Sequence, residues 1–257
     1  MPARRPSILK GIAHNRTLRH VQGLGERIAE QDISSIRPLR GQARDILRAA
    51  ERAYTAAEAR LALPLIGGAP IDAPVQSDWT HRPELWSSPV RPAGIAAPRN
   101  RARLGAEATI HHDCRLSEIT FRQLRNHRPE DIAPFGVVLE VLRFEGSFLS
   151  LAIDIPQDGL SGLQKRHIVR FAAHLDYENP IEIFARLNIK HGPNTEQLVR
   201  DFPVGDNDLA TEWDLAFVEM NEKRIEAAWI DLIFGGPALN RIDIRDMTLS
   251  RRPRADF

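Results

Sequence analysis

Two neighbouring stretches decide the fold: Val-Arg-Phe-Ala-Ala-His-Leu-Asp-Tyr at Val169–Tyr177 and Ile-Glu-Ile-Phe-Ala-Arg-Leu-Asn-Ile-Lys at Ile181–Lys190. In both, an apolar residue occupies every second position, and most of the positions between are polar or small. Because successive side chains of a β-strand point to opposite faces, this period of two is typical of a strand with one buried face. Both stretches are therefore predicted to be strands that cover a core.

The same period recurs through the rest of the chain from about residue 106. Further strands are predicted at 108–111, 119–124, 137–144, 147–155, 213–217, 230–234 and 242–249. The phase slips by one residue at Arg245-Asp246, which predicts a β-bulge. Glu145-Gly146 predicts a tight hairpin between two of these strands. About nine strands without interleaved helices predict a mainly β protein, an antiparallel jelly-roll-type β-sandwich.

The composition is that of an ordinary globular protein. Of the 257 residues, 42% are hydrophobic and 27% are charged, which excludes disordered, collagen-like and membrane-spanning chains. The single cysteine, Cys114, excludes a disulfide scaffold and a zinc site with four cysteine ligands. The length suits one large or two modest domains with a sizeable core.

The segment 1–63 is predicted to be basic and helical. Apolar residues at three- and four-residue spacing predict an amphipathic helix from about Pro38 to Ala62, which ends at Pro64 and Gly67-Gly68. A weaker helix is predicted at Thr17–Gln31. Residues 1–60 hold 12 basic and 6 acidic residues, and the remainder holds 23 and 28. This +6 arm on a −5 body predicts docking of residues 1–62 to something negative, namely nucleic acid, a lipid surface or an acidic protein partner. A helical hairpin that associates with a second copy is also consistent with the helical pattern. The alternatives are a solvated helix surface and an arm that folds back onto its own body.

Residues 64–105 are predicted to be a proline-rich strap between the helical segment and a β-sandwich domain at 106–257. Seven prolines interrupt any regular period there. The strap nevertheless contains Trp79 and Trp86, and disordered linkers are poor in tryptophan. We expect the strap to lie against the sandwich with both indoles buried; a ligand clamp formed by the two tryptophans is the alternative.

No targeting or membrane segment is apparent. The basic stretch Met1–Lys10 is not followed by an apolar run, which does not fit a Sec signal peptide. No uncharged stretch approaches the roughly 20 apolar residues of a membrane span. We expect a cytoplasmic protein, or part of an assembly released from the cytoplasm. Nucleic acid is not a favoured partner, because the strand region is acidic and lacks a basic stripe interleaved with aromatic residues.

The sequence contains no familiar catalytic motif. It has no Gly-rich phosphate loop, no Gly-x-Ser-x-Gly elbow and no His-Glu-x-x-His helix, and no cofactor is expected. His111 and Asp113 could share one strand face, but two ligands without a third do not define a metal site. We expect hydrogen-bonded polar groups at a strand end, and a core position for Cys114. A metal-dependent hydrolase is the weakest alternative.

Polar residues concentrate at strand ends, in the loops Lys190–Glu196 and Asn221–Arg224. Sandwich proteins often carry their binding loops there. Amide, guanidinium and carboxylate groups bind hydroxyls, and an aromatic face stacks on the C–H face of a sugar ring, so the combination predicts a glycan ligand. The alternative is that these are ordinary turns and that Trp229 belongs to the core. The candidate ligand-binding residues are Arg186, Asn188, Lys190, His191, Asn194, Trp229 and Asp231.

Four motifs resemble an uncharacterised alphaproteobacterial family, a domain of unknown function, over most of the chain from about residue 40. They are Asp78–Trp86, Phe184–Gln197, Asn221–Arg224 and Ser250–Arg254. The run of strands that ends in Ile242–Leu249 is similar to the closing part of galactose-binding-like jelly rolls, the modules that include many carbohydrate-binding domains. The first resemblance implies no activity, and the second implies a fold.

These observations favour a non-catalytic module that binds a glycan or a glycan-like surface, with N-terminal helices for docking or oligomerisation. The alternative is a structural or scaffold subunit of a larger assembly such as a phage-like particle, in which the basic helices contact partners.

Overall fold

A computed structural model describes residues 8–28, 31–62 and 71–254 of the chain. These residues belong to two units, Met1–Ala56 and Ala57–Phe257. The first unit is helical: α1 spans Ile8–Ile28, and α2 spans Ile33–Ala62 and so continues six residues past the unit boundary. Within the described ranges, no helix combines the length and the apolar character that a bilayer crossing requires.

Both helices begin earlier than predicted. The helix predicted from Pro38 starts at Ile33, because the Asp32 carbonyl accepts the backbone N–H of Ser35 at 2.9 Å and its hydroxyl at 2.7 Å and so closes the first turn. Pro38 therefore lies inside the helix and not in its first turn. The other helix starts at Ile8 rather than Thr17. Residues 29–30 and the predicted stop at 64–68 lie outside the described residues.

The second unit contains thirteen strands in its described part, and every pairing between them is antiparallel. The strands are β1 (Trp79–His81), β2 (Gly94–Ala96), β3 (Ala102–Leu104), β4 (Ala108–His112), β5 (Glu118–Arg125), β6 (Phe135–Arg143), β7 (Leu149–Asp154), β8 (His167–Tyr177), β9 (Glu182–His191), β10 (Asn194–Asp201), β11 (Asp208–Asp214), β12 (Ile225–Gly235) and β13 (Asn240–Pro253). Two single-turn helices accompany them, α3 (Glu84–Ser87) and α4 (Gln157–Leu160).

The strands form two sheets. One has the order β11-β8-β13-β6-β5-β2, with β1 added beside β13, and the other has the order β10-β9-β12-β7-β4-β3. β13 occupies the middle of its sheet: one edge pairs with β8, and the other pairs first with β6 and then with β1. The register of β13 against β8 shifts between Ile244 and Asp246, which confirms the predicted bulge.

The predicted alternation of buried and outward residues is confirmed in the long strands, and with it the mainly β, antiparallel sandwich. In β8 and β9 every second residue is buried, and the same holds for the apolar rows of β7, β12 and β13. These rows enclose one continuous core whose largest fully buried side chains are aromatic. They are Trp86, Trp213, Phe121, Phe171 and Phe234.

The hairpin predicted at Glu145-Gly146 is wrong, because β6 and β7 belong to different sheets. Two connections between the sheets, β4 to β5 and β6 to β7, interlock here. Asp113 accepts the backbone N–H and hydroxyl of Ser147 at 2.7 and 2.6 Å, and Glu145 accepts two backbone N–H groups of residues 115 and 116. The Ser147 hydroxyl lowers the pKa of Asp113, and the Leu116 N–H lowers that of Glu145.

The strand predicted at Trp213–Phe217 ends at Asp214, where the Asp214 side chain accepts the N–H of Ala216 at 3.0 Å. This bond turns residues 215–217 into a short 3₁₀ helix. Phe217, which the alternation placed in the core, is 80% exposed.

The described part of the predicted strap, residues 71–105, takes part in the sandwich, so that the sandwich begins before residue 106. β2 pairs with β5, β3 with β4, and β1 with β13. Trp86 is fully buried, and its indole N–H donates to the Ile244 carbonyl at 2.9 Å. Trp79 is half-buried against the core and stacks on His81 with ring centroids 5.7 Å apart. The two tryptophans therefore do not form a ligand clamp.

Candidate functional site

A groove of about 440 Å³ lies on the outer face of the six-stranded sheet. Its floor follows β7, whose outward residues Ser150 and Ala152 are small. The strands on either side of β7 carry larger residues at this position: Ser150 is paired with Ile233 of β12 and with His111 of β4. Phe148, directly before β7, lines one end, and Asp154 lines the other. At about 3.3 Å per residue, the groove follows roughly 20 Å of this strand.

Asp231 is the centre of a hydrogen-bond network at the wall of the groove. Its Oδ2 accepts Nε and Nη2 of Arg186 at 3.1 and 2.7 Å, and Nδ2 of Asn188 at 3.0 Å. The Asn188 side chain is completely buried, and its Oδ1 accepts Nε2 of Gln197 at 3.1 Å. Three strands, β10, β9 and β12, are thus joined by one chain of side-chain hydrogen bonds, which holds these polar groups in a single arrangement.

Several polar atoms of the groove have no partner among the described residues. Oδ1 of Asp231, the indole N–H of Trp229 and Oε1 of Gln197 take part in no hydrogen bond within the described ranges. Trp229 is half-buried, with Asn188 and Asp154 as its neighbours on the adjoining strands. The site therefore offers acceptors and donors beside an aromatic ring.

The charges of the groove are balanced by their neighbours. Asp231 is paired with Arg186, and Asp154 is paired with Arg103 at 2.9 Å, although the latter two side chains are about half exposed. Burial lowers the pKa of His111, so the imidazole is neutral at pH 7 and carries one donor and one acceptor. The groove as a whole is polar without a free net charge.

Four of the seven predicted ligand-binding residues line the groove: Arg186, Asn188, Trp229 and Asp231. The other three lie elsewhere, in or beside a shallow depression.

Lys190 has the same outward orientation as Arg186, but it pairs with Glu226 at 2.6 Å beyond the groove, and this hydrogen bond lowers the pKa of Glu226. His191 is one residue further along β9, on the inward side, where it is buried and accepts the N–H of Asn221 at 3.3 Å. His191 and Asn194 line an open depression at the strand ends together with the loop 221–224.

The residues considered for a metal site are dispersed. His111 lines the groove, and Asp113 holds the interlocked loops. His112 is buried, and its Nε2 lies 2.9 Å from the Pro98 carbonyl, while Cys114 is half-buried. Nowhere in ranges 8–28, 31–62 and 71–254 do three His, Cys, Asp or Glu side chains come together as ligands.

Gln197, Ser150 and Ala152 were missed as site residues. The two-residue turn Gly192-Pro193 sets the register of β9 against β10, and in this register Asn188 is paired with Gln197. Gln197 could therefore have been found by counting residues outward from the turn along both strands. No comparable signal exists for Ser150 and Ala152, because their role depends on β7 lying between β12 and β4, which are far apart in the sequence.

Three solved structures are similar to this chain in fold. The enzymatically active domain of bacteriophage CBA120 tailspike protein 4 has a TM-score of 0.40 and 9% identity, and the match covers 56% of this chain but only 19% of that chain. The family 11 carbohydrate-binding module from Clostridium thermocellum, in complex with a β-1,3-1,4-mixed-linked tetrasaccharide, has a TM-score of 0.38 and 9% identity, with coverage of 64% and 99%. The CBM22-1 xylan-binding domain from Paenibacillus barcinonensis Xyn10C has a TM-score of 0.39 and 7% identity, with coverage of 71% and 100%.

No curated protein matches the chain in sequence. A family model matches all of residues 1–257, and this confirms the resemblance seen in the four motifs to a domain of unknown function. The chain belongs to the family of unknown function DUF6478.

Proposed function

We propose that the groove on the six-stranded sheet binds a neutral glycan and that the sandwich is a non-catalytic binding module. The observation that carries this proposal is the combination of an accessible indole, Trp229, with the fixed polar groups of Asp231, Asn188 and Gln197. A sugar ring has an apolar C–H face for the indole and hydroxyls for the carboxylate and amide groups. The volume of about 440 Å³ is within the usual range of ligand sites.

The balanced charges support a neutral rather than an anionic ligand. Both carboxylates of the groove already have an arginine partner, and His111 is neutral. A uronate or sulfate group would lie beside Asp154 and Asp231, and Arg186, the cation that lines the groove, is already paired with Asp231. Neutral hydroxyls, in contrast, can use Oδ1 of Asp231 as an acceptor without disturbing its bonds to Arg186 and Asn188.

The same pairing supports binding rather than hydrolysis of the glycan. Glycoside hydrolysis generally requires one protonated carboxylic acid in addition to a second carboxylate. Asp231 accepts three hydrogen bonds from cationic or amide groups, and Asp154 is paired with Arg103. Both carboxylates are therefore already occupied by contacts within the protein.

Titration calorimetry with neutral oligosaccharides of several linkage types, using the full chain, tests this proposal. Trp229→Ala should weaken binding by more than about 30-fold, because a buried aromatic contact usually dominates such a site. Gln197→Ala should weaken it less. Phe217→Ala removes an exposed aromatic side chain outside the groove and is the matched control, with unchanged affinity expected. Saccharide binding that is unaffected by Trp229→Ala, or no binding of any neutral saccharide at millimolar concentration, would contradict the proposal.

Arg186 is unsuitable for this test. Its removal leaves the buried Asp231 carboxylate without its cation, so a loss of binding could follow from a loss of folding.

The scaffold alternative requires a docking surface in residues 1–62. Exposed apolar side chains on α2, such as Leu47 at 58%, favour a docking role for this helix, whatever the ligand of the groove.

A further inference from the structure

Arginines recur at three- and four-residue spacing along α2. The series consists of Arg37, Arg40, Arg44, Arg48 and Arg52, and all five are exposed. At about 100° per residue, they occupy roughly 120° of the helix circumference over about 22 Å of its length. Residues 33–54 contain these five arginines and two acidic residues, which leaves a net charge of +3. No contact of the five with a described acidic side chain is found.

An apolar stripe adjoins this arginine stripe. The stripe consists of Ile36, Leu39, Ala43, Ile46, Leu47 and Ala50. Around the helix axis, Leu47 lies about 20° from Arg40 and about 60° from Arg44. Ile46 and Leu47 of this stripe are 37% and 58% exposed, whereas Ile36 and Leu39 are partly buried.

We infer that α2 docks on the surface of a membrane that contains anionic phospholipids. An amphipathic helix with arginines beside its apolar face lies in the plane of the interface, where the apolar side chains enter the acyl boundary and the guanidinium groups reach lipid phosphates. Arginine suits this role because its planar donors bind phosphate oxygens and its long stem follows apolar surface.

The two stripes together favour a lipid surface over other occupants. A nucleic acid would neutralise the arginines but leave Ile46 and Leu47 in water. A second copy of α2 packed through the apolar stripe would bury those residues but leave the arginines unused. An anionic lipid surface has a complementary charge for one stripe and an apolar layer for the other, side by side as they lie on the helix.

Co-sedimentation of the full chain with lipid vesicles tests this inference. The probes are vesicles of phosphatidylcholine with about one third phosphatidylserine and vesicles of phosphatidylcholine alone. Binding is expected for the former only, and it should decrease steeply with added salt. The triple variant Arg40→Gln/Arg44→Gln/Arg48→Gln should lower the partition coefficient by about 100-fold, since each cation near an anionic surface contributes substantially. Glutamine is a good helix former, and circular dichroism verifies that the helix is retained.

Matched control variants test whether vesicle binding depends on the two stripes of α2 or on exposed arginines and apolar residues anywhere in the protein. Arg99→Gln/Arg143→Gln/Arg200→Gln removes three exposed arginines of the sandwich and should leave vesicle binding unchanged. On the apolar side, Ile46→Gln/Leu47→Gln should weaken vesicle binding at least tenfold without any change of charge, whereas Leu142→Gln/Phe217→Gln should not.

Three outcomes would overturn the inference. The first is equal binding to anionic and neutral vesicles. The second is binding to duplex DNA or RNA at salt concentrations where vesicles do not bind. The third is a protein that does not sediment with anionic vesicles but forms a dimer, and whose dimer dissociates when Ile46→Gln/Leu47→Gln is introduced. None of these readouts depends on a saccharide, so the result is independent of the proposed function of the groove.

Discussion

Replacing Arg186 by methionine should destabilise the sandwich by about 3 kcal/mol, because it leaves a buried carboxylate without its cation. The side chain of Asp231 is 6% exposed, and Arg186 provides two of the three hydrogen bonds to its Oδ2. Breaking a buried pair by removing one partner typically costs about 3–5 kcal/mol. The lower end applies here because Asn188 still donates at 3.0 Å and Arg186 is itself about one third exposed.

Urea unfolding followed by tryptophan fluorescence measures this loss. With a slope of about 2–3 kcal/mol per molar urea, the midpoint should fall by roughly 1–1.5 M. Arg103→Met is the matched control: its pair with Asp154 is about half exposed, so its loss should cost less than about 1 kcal/mol. Adding Asp231→Asn to Arg186→Met removes the unpaired charge and should restore part of the stability. A loss below about 1 kcal/mol for Arg186→Met, or no recovery in the double variant, would refute the role assigned to this pair.

Three further changes test other parts of the fold. Trp86→Phe should destabilise the protein by about 2 kcal/mol, since it leaves the buried Ile244 carbonyl without its donor; an unchanged urea midpoint would contradict this. Gly159→Ala should cost about 1–3 kcal/mol in the same assay, because the added Cβ would lie 2.5 Å from Cζ2 of Trp79, and a wild-type midpoint would show that the ring can yield. Burial lowers the pKa of His167, so the unfolded chain binds more protons than the native protein below about pH 6.5, and stability should fall as the pH drops from 7 to 5. His167→Gln should flatten this dependence, and an unchanged slope would remove His167 as its source.

The core of the sandwich could be predicted from the sequence because the signal is local. The alternation of Val169, Phe171 and Leu175 with polar neighbours shows within a few residues which face of a strand is buried. The bulge at Arg245-Asp246 was equally visible as a change of phase. In both cases the information lies inside a single strand.

The errors occur where distant residues decide the local structure. Glu145-Gly146 has the composition of a hairpin turn, but Asp113, 34 residues before Ser147, holds the chain in a crossing between the sheets. The short strands of residues 71–105 are likewise held by contacts with later parts of the chain, for example the bond from Trp86 to Ile244, 158 residues apart. The secondary-structure propensity of a ten-residue window does not report such contacts with distant parts of the chain.

The candidate site was predictable in part for the same reason. Arg186, Asn188, Trp229 and Asp231 could be recognised because each faces outward on a strand of clear alternation. Lys190 shares that face, but its ion pair with Glu226 depends on the register of β9 against β12, which the sequence does not encode locally. His191 was predicted to lie in the loop after this strand, whereas it is the last residue of β9 and is buried on the inward side.

The central place of β13 has a consequence for synthesis of the protein. β13 follows every other strand of its sheet in the sequence, yet it separates β8 from β6. While the chain is being translated, the earlier strands can form only two fragments, β11-β8 and β6-β5-β2, each with an open edge where β13 belongs. Nascent chains that pause before residue 240 would therefore expose two unpaired strand edges to neighbouring nascent chains, and unpaired edges of this kind promote aggregation.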